Sequence, residues 1–278
     1  MSAPASSQVD LDGREGYAPA SSAALASSKD RLDYTVLGSR TMASVNIIFE
    51  DDFLLVADKA SGVPTHPGDR HEDDNLLRDL QRQLTAGGVA DVDTLAPMHR
   101  LDLPTSGLVA FGRSATVTRN FQKSHANGDV KRRYLALCQG ITHRKGLIKV
   151  PLSRQGKPRR GQTPTQDART RYRRLVFNRA VTLVRVRPET GRPHQIRRHL
   201  RSIGHPIACD DRWGDIGFNR WIVGQHGLNR LFLHAAELSF PHPITNAPMT
   251  FASPLPLELQ TVLESLGLPP LPPTKEAG

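Results

Sequence analysis

The chain is poor in cysteine, in aromatic residues and in acids relative to bases. Its two cysteines, Cys138 and Cys209, sit in segments unlike a disulfide framework, which fits a reducing compartment. They do not form a CxxC pair, so thiolate-zinc and dithiol redox chemistry lack their ligands. No apolar run approaches the ~20 residues of a membrane span. The N-terminus lacks the apolar stretch of a secretory signal. These absences lead us to expect a cytoplasmic protein with no membrane partner. No P-loop and no GxGxxG occur, and Ser106 sits in Thr-Ser-Gly rather than in a GxSxG elbow. His194 and His199 are five positions apart, roughly 140° around a helix, so they do not converge on one metal.

Bases are plentiful. Lys and Arg number 37 against 27 acids, a formal charge of +10 over 278 residues. Such a balance suits a polyanion, because each cation placed on a phosphate releases a counterion. A hydrophobic content of 38% is enough for a sizeable core. Residues 1–43 are Ala/Ser-rich without apolar periodicity and are expected to be disordered, with Met42 an alternative start. Residues 268–278 form a proline-rich tail. One domain, 44–267, lies between them.

Within it, Val45–Glu50 and Phe53–Asp58 read as strands joined by a hairpin at Asp51-Asp52. Leu76, Leu77, Leu80 and Leu84 recur at helical spacing, which predicts a helix from Asp73 to Leu84. Ser114 is placed to cap a helix ending near Asn127, with Gly128 just beyond it. Lys131–Gln139, Arg169–Phe177, Val181–Arg187 and Leu231–Phe240 are rich in strand formers. Pro193 suits a helix's first turn and Gly204 its stop. Ser253 is placed to cap a last helix with Leu257, Leu259, Val262 and Leu266 on its apolar face. Strands outnumber regular βα alternation, so the expected class is α+β, with helices and loops flanking a mixed, largely antiparallel bent sheet.

Four segments carry candidate chemistry. His99-Arg100-Leu101-Asp102 runs into Leu103-Pro104-Thr105-Ser106-Gly107, which sets a carboxylate in a turn just before the apolar strand Leu108–Phe111. A carboxylate at the lip of a core strand can serve as a nucleophile, and equally as a turn residue. In Lys131–Leu137, strand alternation puts Arg132, Tyr134 and Ala136 on one face. A tyrosine among bases can stack on a nucleobase or relay a proton. Thr190-Gly191-Arg192-Pro193-His194-Gln195-Ile196-Arg197 continues as a helix whose buried stripe is Ile196, Leu200 and Ile203. Arg197 and Arg201 share a neighbouring face. Cations this dense at a positive helix start are costly without an anionic partner, so they mark a phosphate site, a partner for a buried carboxylate, or else a solvated basic helix. The weakest of the four is Lys59-Ala60-Ser61-Gly62-Val63-Pro64-Thr65-His66-Pro67-Gly68, a Gly/Pro loop with one lysine at a strand end.

Taken in order, these segments resemble the RluA-type pseudouridine synthases over residues 45–255. The resemblance implies isomerisation of a uridine in RNA to pseudouridine, with no cofactor. Asp102 would be the nucleophile that releases the uracil from its ribose carbon, after which the base turns and rejoins through C5. Arg197 would pair with Asp102 and keep it ionised, and Tyr134 would stack on the uracil and help remove the C5 proton. Arg100 would fill the gap left by the flipped uridine, since the glycosidic carbon is unreachable inside a stacked helix. Leu101, Lys59, Thr105, Lys131, Arg192, His194, Gln195 and Leu233 would surround the substrate. Pro104, Arg198-His199-Leu200 and Asp210-Asp211-Arg212-Trp213-Gly214-Asp215 are similar to the TruC-like branch, which implies a tRNA substrate at uridine 65 of the acceptor arm, with ribosomal RNA the alternative. Forty-three leading residues are too few for the S4 domain of many relatives, and a monomer is expected. Two departures stand out. Ala60 replaces the usual proline, which would loosen the loop after Lys59. Cys209 replaces a common glycine, which matters if the position needs positive φ.

Overall fold

The computed structural model describes residues 44–68, 71–153 and 164–270. The Ala/Ser-rich segment 1–43, with Met42, and residues 271–278 of the proline-rich tail lie outside the described residues. The first elements are β1 (Asn46–Glu50), β2 (Leu54–Lys59), α1 (Leu76–Ala86), β3 (Ala96–Pro97), β4 (Ser106–Gly112), α2 (Ala115–Asn127) and β5 (Lys131–Gln139). Next come β6 (Lys145–Ile148), β7 (Leu152–Ser153), β8 (Thr165–Gln166), β9 (Thr170–Phe177) and β10 (Val181–Pro188). The last are α3 (Gln195–Ser202), α4 (Ile216–His226), β11 (Leu233–Pro241), β12 (Pro248–Ala252) and α5 (Leu257–Ser265).

One mixed sheet carries the fold, in the order β1-β2-β4-β11-β5-β10-β9-β6, with β12 on β11 and β3 on β4. Its pairings among the described residues are antiparallel except β4 with β11, which run parallel. The class is α+β, as the count of strands suggested. Strand alternation sorts β2 and β4 between two apolar layers. Leu55, Ala57, Val109 and Phe111 join a cluster with Leu76, Leu80 and Leu84 of α1. Leu54, Val56, Leu108 and Ala110 join another with Val117 and Phe121 of α2. Each residue of β4 is buried, as a strand covered on both faces requires.

Helix boundaries follow the caps. Ser114 Oγ accepts from Val117 N at 3.3 Å, and Gly128 ends α2 in the left-handed region at φ 84°. Helix α1 starts later than the apolar spacing suggested, because Asn75 caps it by accepting from Arg78 N at 3.1 Å. Pro193 lies before α3 rather than in its first turn: His194 is left-handed (φ 52°), so the helix begins at Gln195. Ser253 does not cap α5. Its hydroxyl donates to Asp58 Oδ2 at 2.7 Å, and the helix begins behind Pro256. Leu257, expected on the apolar face, is 77% exposed, and Leu263 takes the buried place beside Leu259 and Val262. Helix α4 has no clean apolar stripe in the sequence, and Ile216 and Trp221 remain exposed.

Candidate active site

Asp102 is held at a chosen place by its turn. Thr105 N donates to Asp102 O at 3.0 Å, which closes the turn over Leu103-Pro104. The loop after β2 ties that turn down. Lys59 Nζ donates to Val63 O (2.7 Å), Ala60 O (3.0 Å) and Leu103 O (3.1 Å). Gly62 N reaches Leu103 O at 3.0 Å, and Ser61 Oγ reaches Pro104 O at 2.9 Å. Just beyond the turn, Gly107 (φ 114°) lies so close to β11 that a Cβ would stand 2.3 Å from Ala235 O. The glycine of the Thr-Ser-Gly signature is therefore a packing requirement: only glycine lets the strand after Asp102 dock parallel to β11.

Arg197 rises to Asp102 from α3. Its Nη1 stands 3.7 Å from Asp102 Oδ2, a charge contact longer than a hydrogen bond. Its hydrogen bonds go elsewhere. Asp210 takes Nε at 2.8 Å and Nη2 at 2.6 Å in a fork, and Asp211 takes Nη2 at 2.8 Å. Arg197 is 3% and the Asp210 side chain 0% exposed, so this is a buried ion pair. Burial pulls the guanidinium pKa down, but Asp210, Asp102 and Asp211 more than offset it, and the net shift is upward. Asp210 also accepts from Arg212 N (3.0 Å) and Trp213 N (2.8 Å), which saturates the carboxylate as a buried charge requires. Arg201, one turn beyond Arg197 on α3, is exposed. Asp210 is the site residue that the motif reading missed. It appeared only within the branch-like segment Asp210–Asp215, with no role of its own, and sequence does not reveal which of those carboxylates will be buried.

The two lie in a cavity of about 480 Å³ lined also by Arg100, Leu101, Thr105, Tyr134, Arg192, His194, Gln195 and Leu233. Tyr134 on β5 is 6% exposed. Burial first and the Asp102 charge after it raise its pKa against the opposing pull of Arg132, so the phenol stays protonated. His194 Nδ1 accepts from Trp213 Nε1 at 3.2 Å, which leaves the ring proton of the neutral form on Nε2. Burial lowers its pKa, with Arg197 and Arg212 adding to that and Asp102 opposing. Among the described residues no cluster of three His, Cys, Asp or Glu side chains is arranged to hold a metal.

Two of the expected substrate contacts, Lys59 and Gln195, have their polar groups committed within the protein. Lys59 is fully buried with its ammonium on backbone carbonyls, so it is a strut under the Asp102 turn rather than an RNA contact. Lys131 is exposed at the start of β5 and outside the cavity lining. Gln195 lines the cavity, but its amide is used up. Its oxygen accepts from Thr190 Oγ1 (2.7 Å) and Arg192 N (3.0 Å), and its nitrogen donates to Arg169 O and Thr170 Oγ1 (2.9 Å each). It orders the loop before α3. The Ala60 loop, expected to be loose, is tied through the Ala60 carbonyl itself. Cys209 does occupy a left-handed position (φ 54°), as the glycine common there would.

The sequence profile of the RNA pseudouridylate synthase family matches residues 53–202. The chain is 35% identical to the ribosomal large subunit pseudouridine synthase C of Vibrio vulnificus over 230 residues, 79% of this chain and 69% of that one. It is 32% identical to the tRNA pseudouridine synthase C of Pasteurella multocida over 228 residues, 76% of this chain and 91% of that one. Human RNA Pseudouridylate Synthase Domain Containing 4 shares the fold, with a TM-score of 0.66 at 23% identity over 82% of this chain and 95% of that chain.

Proposed function

The chain belongs to the RluA family of pseudouridine synthases, which isomerise uridine in RNA, and we propose that its substrate is a tRNA, at uridine 65 of the acceptor arm, with Asp102 as nucleophile. The observation that carries the catalytic reading is the placement of Asp102 in the cavity wall, 3.7 Å from a buried arginine whose own charge is anchored by Asp210. That arrangement supplies a fixed anion beside a fixed cation in a partly water-excluded pocket, which preorganises charge for the reaction. A uridine must flip out of the RNA to reach it. Arg100, exposed on the rim, is suited to filling the vacated stack.

Asp102 adds to the substrate, at the ribose C1′ or at the base. In either case the C1′–N1 bond breaks, C1′–C5 forms, the C5 proton leaves and N1 gains one, so the product is an isomer and no cofactor is consumed. Tyr134, kept protonated, offers its ring to the uracil. With burial keeping the phenol protonated, little phenolate is present to accept a proton, so we assign it stacking rather than proton removal.

The tRNA reading is supported by the branch-like residues built into the site, namely Asp210, Asp211 and Trp213 around Arg197 and His194. The ribosomal reading has its own support in the 35% identity to a ribosomal enzyme. Pseudouridine mapping of RNA from cells with and without the gene, by carbodiimide-dependent reverse-transcription stops, separates them. Loss of one site at tRNA position 65 is the expected result. Loss of ribosomal sites instead would replace the substrate and leave the chemistry.

A further inference from the structure

Behind the cavity wall lies a buried polar cluster that the chemistry above leaves unused. Thr105 and Leu233 line the cavity, so strand alternation turns the residues that follow them, Ser106 and His234, to the opposite face of the sheet. These two are register partners in the parallel pairing of β4 with β11, and Ser106 Oγ meets His234 Nδ1 at 2.9 Å. Ser106 is 2% and His234 0% exposed. Arg230 reaches in from just ahead of β11. Its Nη2 donates to Ser106 Oγ and its Nη1 to Glu258 Oε1 of α5, each at 2.6 Å. On the far side of the ring, His234 Nε2 faces Ser253 O at 3.2 Å, and the Ser253 hydroxyl is on Asp58.

The donors and acceptors give this relay a direction. A guanidinium only donates and a carbonyl only accepts. Ser106 Oγ therefore accepts from Arg230 and donates its own proton to His234 Nδ1, and the ring carries its hydrogen on Nε2, toward Ser253 O. A neutral His234 satisfies every member. Burial, with Arg230 adding to it, lowers the ring's pKa against the pull of the Ser253 carbonyl and Asp58. A fully satisfied buried network holds one arrangement, because each lost bond strands a desolvated group. What it holds here is the start of β4. Thr105 N, one residue before Ser106, closes the turn that carries Asp102. Asp102 meets Arg197 at 3.7 Å, longer than a hydrogen bond, so the backbone of that turn sets where the carboxylate stands. We propose that His234, Ser106 and Arg230 are positioning residues for the nucleophile, a relay behind the cavity that pins the first residues of β4 and with them the Asp102 turn. The proposal rests on Asp102 being the nucleophile.

The test compares two substitutions at one position. His234→Asn keeps an acceptor where Nδ1 stood, and His234→Leu keeps none. Tritium release from RNA labelled at C5 of the mapped uridine gives kcat per folded molecule and KM, and urea unfolding gives stability. His234→Asn should keep kcat within about threefold of wild type, although losing the bond to Ser253 lowers its unfolding midpoint. His234→Leu should lower kcat at least about tenfold with KM unchanged, because a small misplacement of a reacting group slows the chemistry without loosening the RNA. Ser106→Ala removes the hydroxyl without adding volume, should lose the same factor, and decides the matter if His234→Leu does not fold. A cluster that served stability alone would give the same kcat per folded molecule in every variant. Equal kcat in the Asn and Leu variants, or wild-type kcat in Ser106→Ala, would overturn the proposal. The catalytic reading fails separately, through release of tritium by Asp102→Asn.

Discussion

At the residue scale the site depends on which carboxylate holds Arg197. Removing one partner of a buried pair strands the other charge, at a cost of roughly 3–5 kcal/mol, whereas an exposed partner is worth under about 1 kcal/mol. Asp210→Asn should therefore lower the urea unfolding midpoint severely and abolish turnover. Asp211→Asn, at a 66% exposed side chain, should leave stability nearly unchanged. Equal effects would show that Arg197 is not anchored as described. His99 adds a pH dependence. Burial, helped by Arg132 and His125, drops its pKa from 6.5 to about 3. Between those values the unfolded chain takes up a proton that the folded ring refuses, so its stabilising contribution is complete above pH 6.5 and is lost as pH falls toward 3. His99→Gln should flatten part of that acid limb in urea titrations, and an unchanged slope would contradict the burial. Asp102 and Arg197 were legible because their flanking motifs are dense. Asp210 and the strut role of Lys59 were not, because a charged residue's burial depends on chain segments far away in sequence.

At the scale of elements, strands and capped helices followed from alternation and end signals. Helix α2 runs from its Ser114 cap to Gly128, and β5 spans the residues that its composition suggested. The misplaced starts have separate causes: Asn75 caps α1, the left-handed His194 delays α3 until Gln195, and Ser253 gives its hydroxyl to Asp58, so α5 begins behind Pro256. The short strands β3, β7 and β8 are two residues each, too brief for any period to show. Gly107 joins the element scale to the site. Gly107→Ala forces a Cβ against the β11 backbone at a positive φ and should cost at least ~2 kcal/mol. It should also displace the Asp102 turn, so turnover should fall further than the fraction of folded protein. Activity that tracks the folded fraction alone would separate the strand from the turn.

At the scale of the whole molecule, a charge of +10 and a cationic cavity point to affinity carried by phosphates. RNA affinity should drop at least ~10-fold between 50 and 200 mM salt, and a flat response in filter binding would contradict a phosphate-led interface. Charge excess was visible in the composition. Its gathering in the pocket wall was not, because Arg100, Arg132 and Arg197 come from a loop, a strand and a helix that only the fold brings together.

The most direct measurement gives the purified protein an RNA bearing the mapped uridine labelled with tritium at C5. C5 must exchange its hydrogen for the ribose carbon, so label release reports the isomerisation itself. Wild type should release tritium to completion, while Asp102→Asn should bind the RNA with near wild-type affinity and release none. Release by Asp102→Asn at a rate near wild type would remove Asp102 from the chemistry and with it the account of this site.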